Sequence, residues 1–167
     1  MLRALTDRLL ARNRLLQFGN KSTDTCPLCQ NSSETRDHLF FNCPFSNYIW
    51  SICKLRLNIS AIVSTLREEI LSLKKLFKQK GHIAALAKVV KGAAVWHLWK
   101  ERNLKIFKSQ SNSRLEVLAR ITSDIHILMM HCQWSKTDES KDGRILSNWN
   151  LKDHMNAQKG RVSVASV

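Results

Sequence analysis

The chain has 167 residues, is 44 % hydrophobic by composition, and carries 27 Lys+Arg against 13 Asp+Glu for a formal net charge of +14. That apolar content is enough for a folded core and excludes a wholly disordered chain, while the charge points to polyanionic partners, nucleic acid before acidic membrane surfaces. No apolar run approaches the roughly 18–20 residues of a membrane span, and Met1-Leu-Arg-Ala-Leu-Thr-Asp-Arg8 lacks the apolar stretch of a secretory signal, so an intracellular compartment without a membrane partner is expected.

Leu5, Leu9, Leu10, Leu15 and Leu16 recur near the helical period and predict a helix over 4–18, closed by Gly19. Arg8, Arg12 and Arg14 decorate its polar side, either as solvated surface or as phosphate contacts.

The most informative stretch follows. Cys26, Cys29, His38 and Cys43 form the pattern C-x2-C-x8-H-x4-C. Three thiols and an imidazole at loop-closing separations suit a tetrahedral Zn²⁺ whose four positions are all filled by protein. Such a zinc holds structure and leaves no position for a reacting water. A redox pair at Cys26 and Cys29 is the weaker reading, because no βαβ pattern surrounds them and His38 and Cys43 would be idle. A disulfide is weaker too, given five cysteines, an odd count, and the reducing compartment.

Around these residues, Asn31-Ser32-Ser33 predicts a tight reversal, and Thr35 is placed to cap a short helix running through His38 towards Cys43. Pro44 disfavours helical geometry at Cys43 and suits the opening of the next helix, from Pro44 to about Leu55. Cys53 on that helix, like Cys132 later, reads as a small buried hydrophobe in preference to a further ligand.

Asn58-Ile59-Ser60 marks a boundary, after which 60–78 and 82–108 carry helical periods separated by Gly81. Lys74, Lys75 and Lys78 cluster at the end of the first. Within the second, Trp96, Trp99, Ile106 and Phe107 read as core in preference to a base-stacking platform, and His97 as a structural histidine. A last helix is expected from Arg114 to about Trp134, opened by Asn112-Ser113, with Leu115, Leu118, Ile121, Ile125, Leu128 and Met129 on its buried side. From Ser135 the sequence turns polar, and 136–167 is expected to be a flexible tail on which Trp149 and Leu151 alone could dock. Most of the positive excess lies in 59–135.

Leu5 to Gly19, Cys26-Pro-Leu-Cys29, the run Glu34-Thr-Arg-Asp-His-Leu-Phe-Phe-Asn-Cys-Pro-Phe45 and Trp50 together resemble the reverse-transcriptase zinc-binding domain of LINE-type (non-LTR) retrotransposon proteins. Trp96-His-Leu-Trp-Lys-Glu-Arg-Asn103 with Ile106-Phe107 is similar to the helical stretch that follows it, so the resemblance covers about 3–108. It implies that Cys26, Cys29, His38 and Cys43 bind one structural zinc, that Trp50 packs beside them, that RNA or DNA is the partner, and that the protein resides in the nucleus. The family's module begins further upstream, with a tryptophan-containing segment. Neither a polymerase Asp-Asp motif nor an RNase H acidic set is present, which suggests a fragment or remnant without catalytic parts.

The fold expected is mainly α: a small Cys3His zinc module over 1–58, a bundle-like helical region over 59–135, and the tail. The function expected is non-catalytic nucleic-acid binding through phosphates, with Arg8, Arg12, Arg14, Lys74, Lys75, Lys78, Lys100, Arg102 and Lys105 as contact candidates. A zinc-stabilised scaffold for a protein partner, or a retroelement remnant without a selected role, are the alternatives.

Overall fold

The computed structural model describes residues 25–59, 65–78, 81–130 and 143–151. The helix expected over 4–18, with Arg8, Arg12 and Arg14, lies outside them, as does Cys132. The described residues are mainly helical and contain no strand, only an isolated antiparallel bridge between Thr25 and Ser33.

Among the described residues the long helices are α1 (Pro44–Arg56), α2 (Leu66–Lys78), α3 (His82–Lys108) and α4 (Arg114–Met129). A π-turn, His38–Asn42, precedes α1. The punctuation acts as the sequence suggests. Pro44 is the first residue of α1, where its missing N–H is no loss, and Cys43 before it is extended at φ −62°, ψ 130°. Asn58 ends α1 in the left-handed region at φ 55°. There its N–H reaches Leu55 O at 3.0 Å and that of Ile59 reaches Lys54 O at 2.9 Å, the paired bonds that satisfy a helix's last carbonyls. Gly81 enters α3 at φ 108°, a conformation that a side chain would disfavour. Ser113 caps α4 reciprocally with Glu116: the Glu116 N–H donates to Ser113 Oγ at 3.2 Å, and the Ser113 N–H to Glu116 Oε2 at 2.6 Å.

Helix α3 is the centre, packing most extensively on α4 and also on α1 and α2. Leu86, Val90, Ala94 and Leu98 recur every fourth residue and are fully buried. From α4, Val117, Ile121, Ile125 and Met129 repeat the same step and face them, joined by Leu118. This seam corrects two expectations. Leu115 and Leu128 fall off it and are exposed. Trp96 and Phe107, expected in the core, stand 60 % and 76 % exposed, because each lies about half a turn from Leu98 around α3.

One buried cluster runs without a break from Cys26, Leu39, Phe40 and Cys43 through Ile49 and Trp50 to Leu98 and Ile121. The zinc-ligand segment therefore shares its core with the helices.

Charged groups fix the helices further. Lys91 on α3 lies 2.9 Å from the buried Glu69 carboxylate on α2 and donates to Ser72 Oγ at 2.8 Å. Burial holds the neighbouring Lys54 ammonium below its usual range, with Glu69 opposing and Lys91 adding to the effect. His97 pairs with Asp124 of α4 at 2.8 Å, the structural role expected for it. From the tail, residues 143–151 are described and packed. Leu146, Trp149 and Leu151 are buried, His126 Nε2 meets Trp149 O at 2.6 Å, and the Arg56 guanidinium sits 5.2 Å over the Trp149 ring.

Candidate metal centre

Local backbone bonds shape the loop that carries the first two thiols. The Cys26 N–H donates to Ser32 O at 2.7 Å and the Gln30 N–H to Cys26 O at 2.8 Å. Gln30 adopts φ 60°, so the chain reverses directly after Cys29. Thr35 caps the following turn as expected: its Oγ1 accepts from the His38 N–H at 3.0 Å. The Cys43 N–H then reaches back five residues to His38 O at 2.6 Å, which closes the π-turn. Two α1 side chains take carbonyls that this wide turn exposes. Ser46 Oγ donates to Leu39 O at 2.5 Å and Asn47 Nδ2 to Phe41 O at 3.2 Å.

The result gathers Cys26, Cys29, His38 and Cys43, whose ligand atoms all lie within 4.8 Å of one another. Cys26 Sγ and Cys43 Sγ are 4.0 Å apart, and Cys29 Sγ is 3.3 Å from His38 Nε2. Bond lengths of about 2.3 Å to sulfur and about 2.0 Å to nitrogen give tetrahedral edges of about 3.8 and 3.5 Å, so the four donors fit one zinc ion with little adjustment. When bound, the ion cross-links the loop, the π-turn and the start of α1. All four positions are taken by protein.

The surroundings suit thiolates. The hydrogen bond from Cys26 lowers the Cys43 thiol to about 5 against the opposing effect of burial, and backbone N–H groups of Ser46 and Phe45 help. Cys26 is pushed up by the same hydrogen bond and by burial, while backbone N–H groups of Cys29 and Leu28 pull it down. These N–H donors aim at both sulfurs and favour the charged form that binds metal. Trp50 supports the site from behind, stacked on Phe41 with ring centroids 5.9 Å apart. Cys53 stands outside the cluster, and burial pushes its thiol up to about 12, as suits a core residue.

Residues 1–50 match the family described as zinc-binding in reverse transcriptase. Together with the ligand geometry, the match supports a reverse-transcriptase zinc-binding domain over that stretch, an accessory module and not a catalytic one. No curated protein and no solved structure gives a significant match. No helix among the described residues is long and apolar enough to cross a membrane.

The zinc-binding module is tied to α3 by residues that sequence reasoning did not connect. Arg102, named above as a phosphate contact, is buried: its Nε donates to Glu34 Oε1 at 2.9 Å and its Nη2 to Glu34 Oε2 at 3.3 Å. Its guanidinium also covers the Trp99 ring at 4.9 Å. Its Nη1 donates to Asn103 Oδ1 at 3.2 Å, and an arginine buried and held on three sides in this way is not free to reach a phosphate. Lys105 is half-buried, donates to Leu28 O at 3.2 Å and lies 5.6 Å over the Phe45 ring. Lys74, Lys75, Lys78 and Lys100 are exposed. Glu101 is buried and accepts both the Asn112 N–H and its Nδ2 at 2.7 Å, which clamps the connection between α3 and α4. The Glu-Arg pair at 101–102 was visible as a motif, but its partners lie at the far ends of loops.

Proposed function

We propose that the chain is a non-catalytic nucleic-acid-binding module built on a structural zinc and derived from a LINE-type reverse transcriptase, acting in the nucleus. The observation that carries this reading is the closed Cys3His cluster within a stretch that matches the reverse-transcriptase zinc-binding family. The formal charge of +14 supports it, as do the exposed lysines at the end of α2 and at Lys100 on α3. Contact runs mainly through phosphates, so affinity falls steeply with salt.

The test is fluorescence anisotropy of the zinc-loaded chain with DNA and RNA oligonucleotides between about 50 and 200 mM salt. Replacing Lys74, Lys75 and Lys78 by Gln is expected to make the log–log salt slope shallower by about 2–3. Absence of binding at about 50 mM salt, or an unchanged slope, contradicts the respective part of the reading.

A second reading, a scaffold for a protein partner, is favoured by the exposed apolar side chains of Leu115, Ile127 and Leu128 on α4 and of Trp96 on α3. It predicts self-association or partner binding that these side chains control and that salt does not weaken.

A further inference from the structure

Between the zinc loop and the C-terminal end of α3 lies an open cleft of about 580 Å³. That is within the ~300–1,000 Å³ range of small-ligand sites. Its lining is mostly polar, with Gln30 on the loop side and Ser109, Gln110 and Ser111 on the opposite rim. None of these four side chains has a hydrogen-bond partner among the described residues. Lys105 supplies the one positive charge of the lining, and Ile106 an apolar contact.

Both rims are held in place. Gln30 follows directly on a ligand cysteine, and its N–H is bonded to Cys26 O at 2.8 Å. The opposite rim begins at Ser109, which ends α3 with φ 52°, and its far side is fixed where Glu101 clamps Asn112. A site whose walls are already ordered loses less entropy when it binds.

We propose that this cleft receives an unpaired nucleotide of a single-stranded nucleic acid; this rests on the nucleic-acid-binding reading and deepens it. Side-chain amides present a donor and an acceptor in one plane, the combination that pairs with a base edge. Base edges on the pairing side are free only when the nucleotide is unpaired. A duplex offers base edges only at the floor of its grooves, which a protruding element can enter and a recessed cleft cannot, and its convex phosphate surface suits the exposed lysines. Lys105 supplies one charge, enough for a single phosphate and too little for a backbone track.

The experiment compares the zinc-loaded full chain with a Gln30→Ala/Gln110→Ala variant. Both side chains are exposed and neither is a ligand, so zinc content and circular dichroism should match wild type. Anisotropy is read with single-stranded DNA and RNA probes and with a blunt duplex of the same sequence. The expected result is tighter binding of a single-stranded probe by the wild type, and a loss of about tenfold in the variant for that probe alone. Equal binding of single strand and duplex, or equal affinities of the two proteins, overturns the cleft and leaves the phosphate-binding module standing. Absence of binding to every probe overturns the module itself, and the cleft with it.

Discussion

Arg102 on α3 and Glu34 in the zinc loop form a two-pronged, buried ion pair, 3 % and 0 % exposed. Two parallel N–H···O bonds fix a planar guanidinium against a planar carboxylate, so the pair sets orientation as well as distance. Glu34 lies between Cys29 and His38, so the pair ties the segment that joins these two ligands to the central helix, beside the bond from Lys105 to Leu28 O.

Breaking one side leaves the other charge buried and unpaired. Arg102→Met is therefore expected to destabilise the fold by about 3–5 kcal/mol, and Arg102→Met/Glu34→Met together by much less. Urea unfolding of the two single variants and the double variant gives the coupling. Zinc affinity of the Arg102→Met variant should fall on the order of tenfold, since the loop that presents Cys29 and His38 loses its anchor. Additive single effects would show that the two side chains act independently.

Metal removal should unfold more than the ligand loop. Cys26 and Cys43 belong to the same buried cluster as Trp50 and Ile121, with Cys29 packed against it, and structural zinc sites contribute an apparent ~10–16 kcal/mol near neutral pH. Chelation is expected to reduce helical circular dichroism across the chain. Titrating Co²⁺ into the apo protein should restore it at one equivalent, with tetrahedral d–d bands and thiolate charge transfer. Cys43→Ser should weaken both responses. Full helicity in excess chelator would show that the helices stand without the ion.

Cys53 should be inert. Its thiol ordinarily ionises at 9.0, and burial pushes it up to about 12. The unfolded chain therefore gives up this proton first, so the contribution to stability is whole below pH 9, declines as pH rises above it and levels off beyond the folded value near 12. The zinc-loaded wild type should lose stability faster than Cys53→Ala over that interval, and Cys53 should resist alkylation until the protein unfolds. Parallel alkaline profiles for the two proteins would contradict this.

Trp149 should behave as core. It is 1 % exposed, beneath Arg56 and bonded through its carbonyl to His126. Trp149→Ala is expected to destabilise by about 3–5 kcal/mol, read as a lower urea midpoint. An unchanged midpoint would mean that 143–151 contributes nothing to the fold.

The metal site was almost wholly legible in the sequence. Thiols and imidazole are chemically distinctive, their separations are short, and the turns that converge them are encoded at Ser33, Thr35 and Pro44. The boundaries at Pro44, Gly81 and Ser113 were legible for the same reason: a fixed φ, a missing Cβ or a capping hydroxyl acts on its own neighbours. What the tertiary structure alone decided is which side of each helix faces inward, and which distant charges meet. Periodicity marks an apolar stripe but not where the partner helix lies, so Trp96, Phe107, Leu115 and Leu128 came out exposed. Arg102 looked like one more cation on a basic helix. Glu34, far away in the chain, made it a buried brace, because a guanidinium shut away from water is stable only against a carboxylate that matches it.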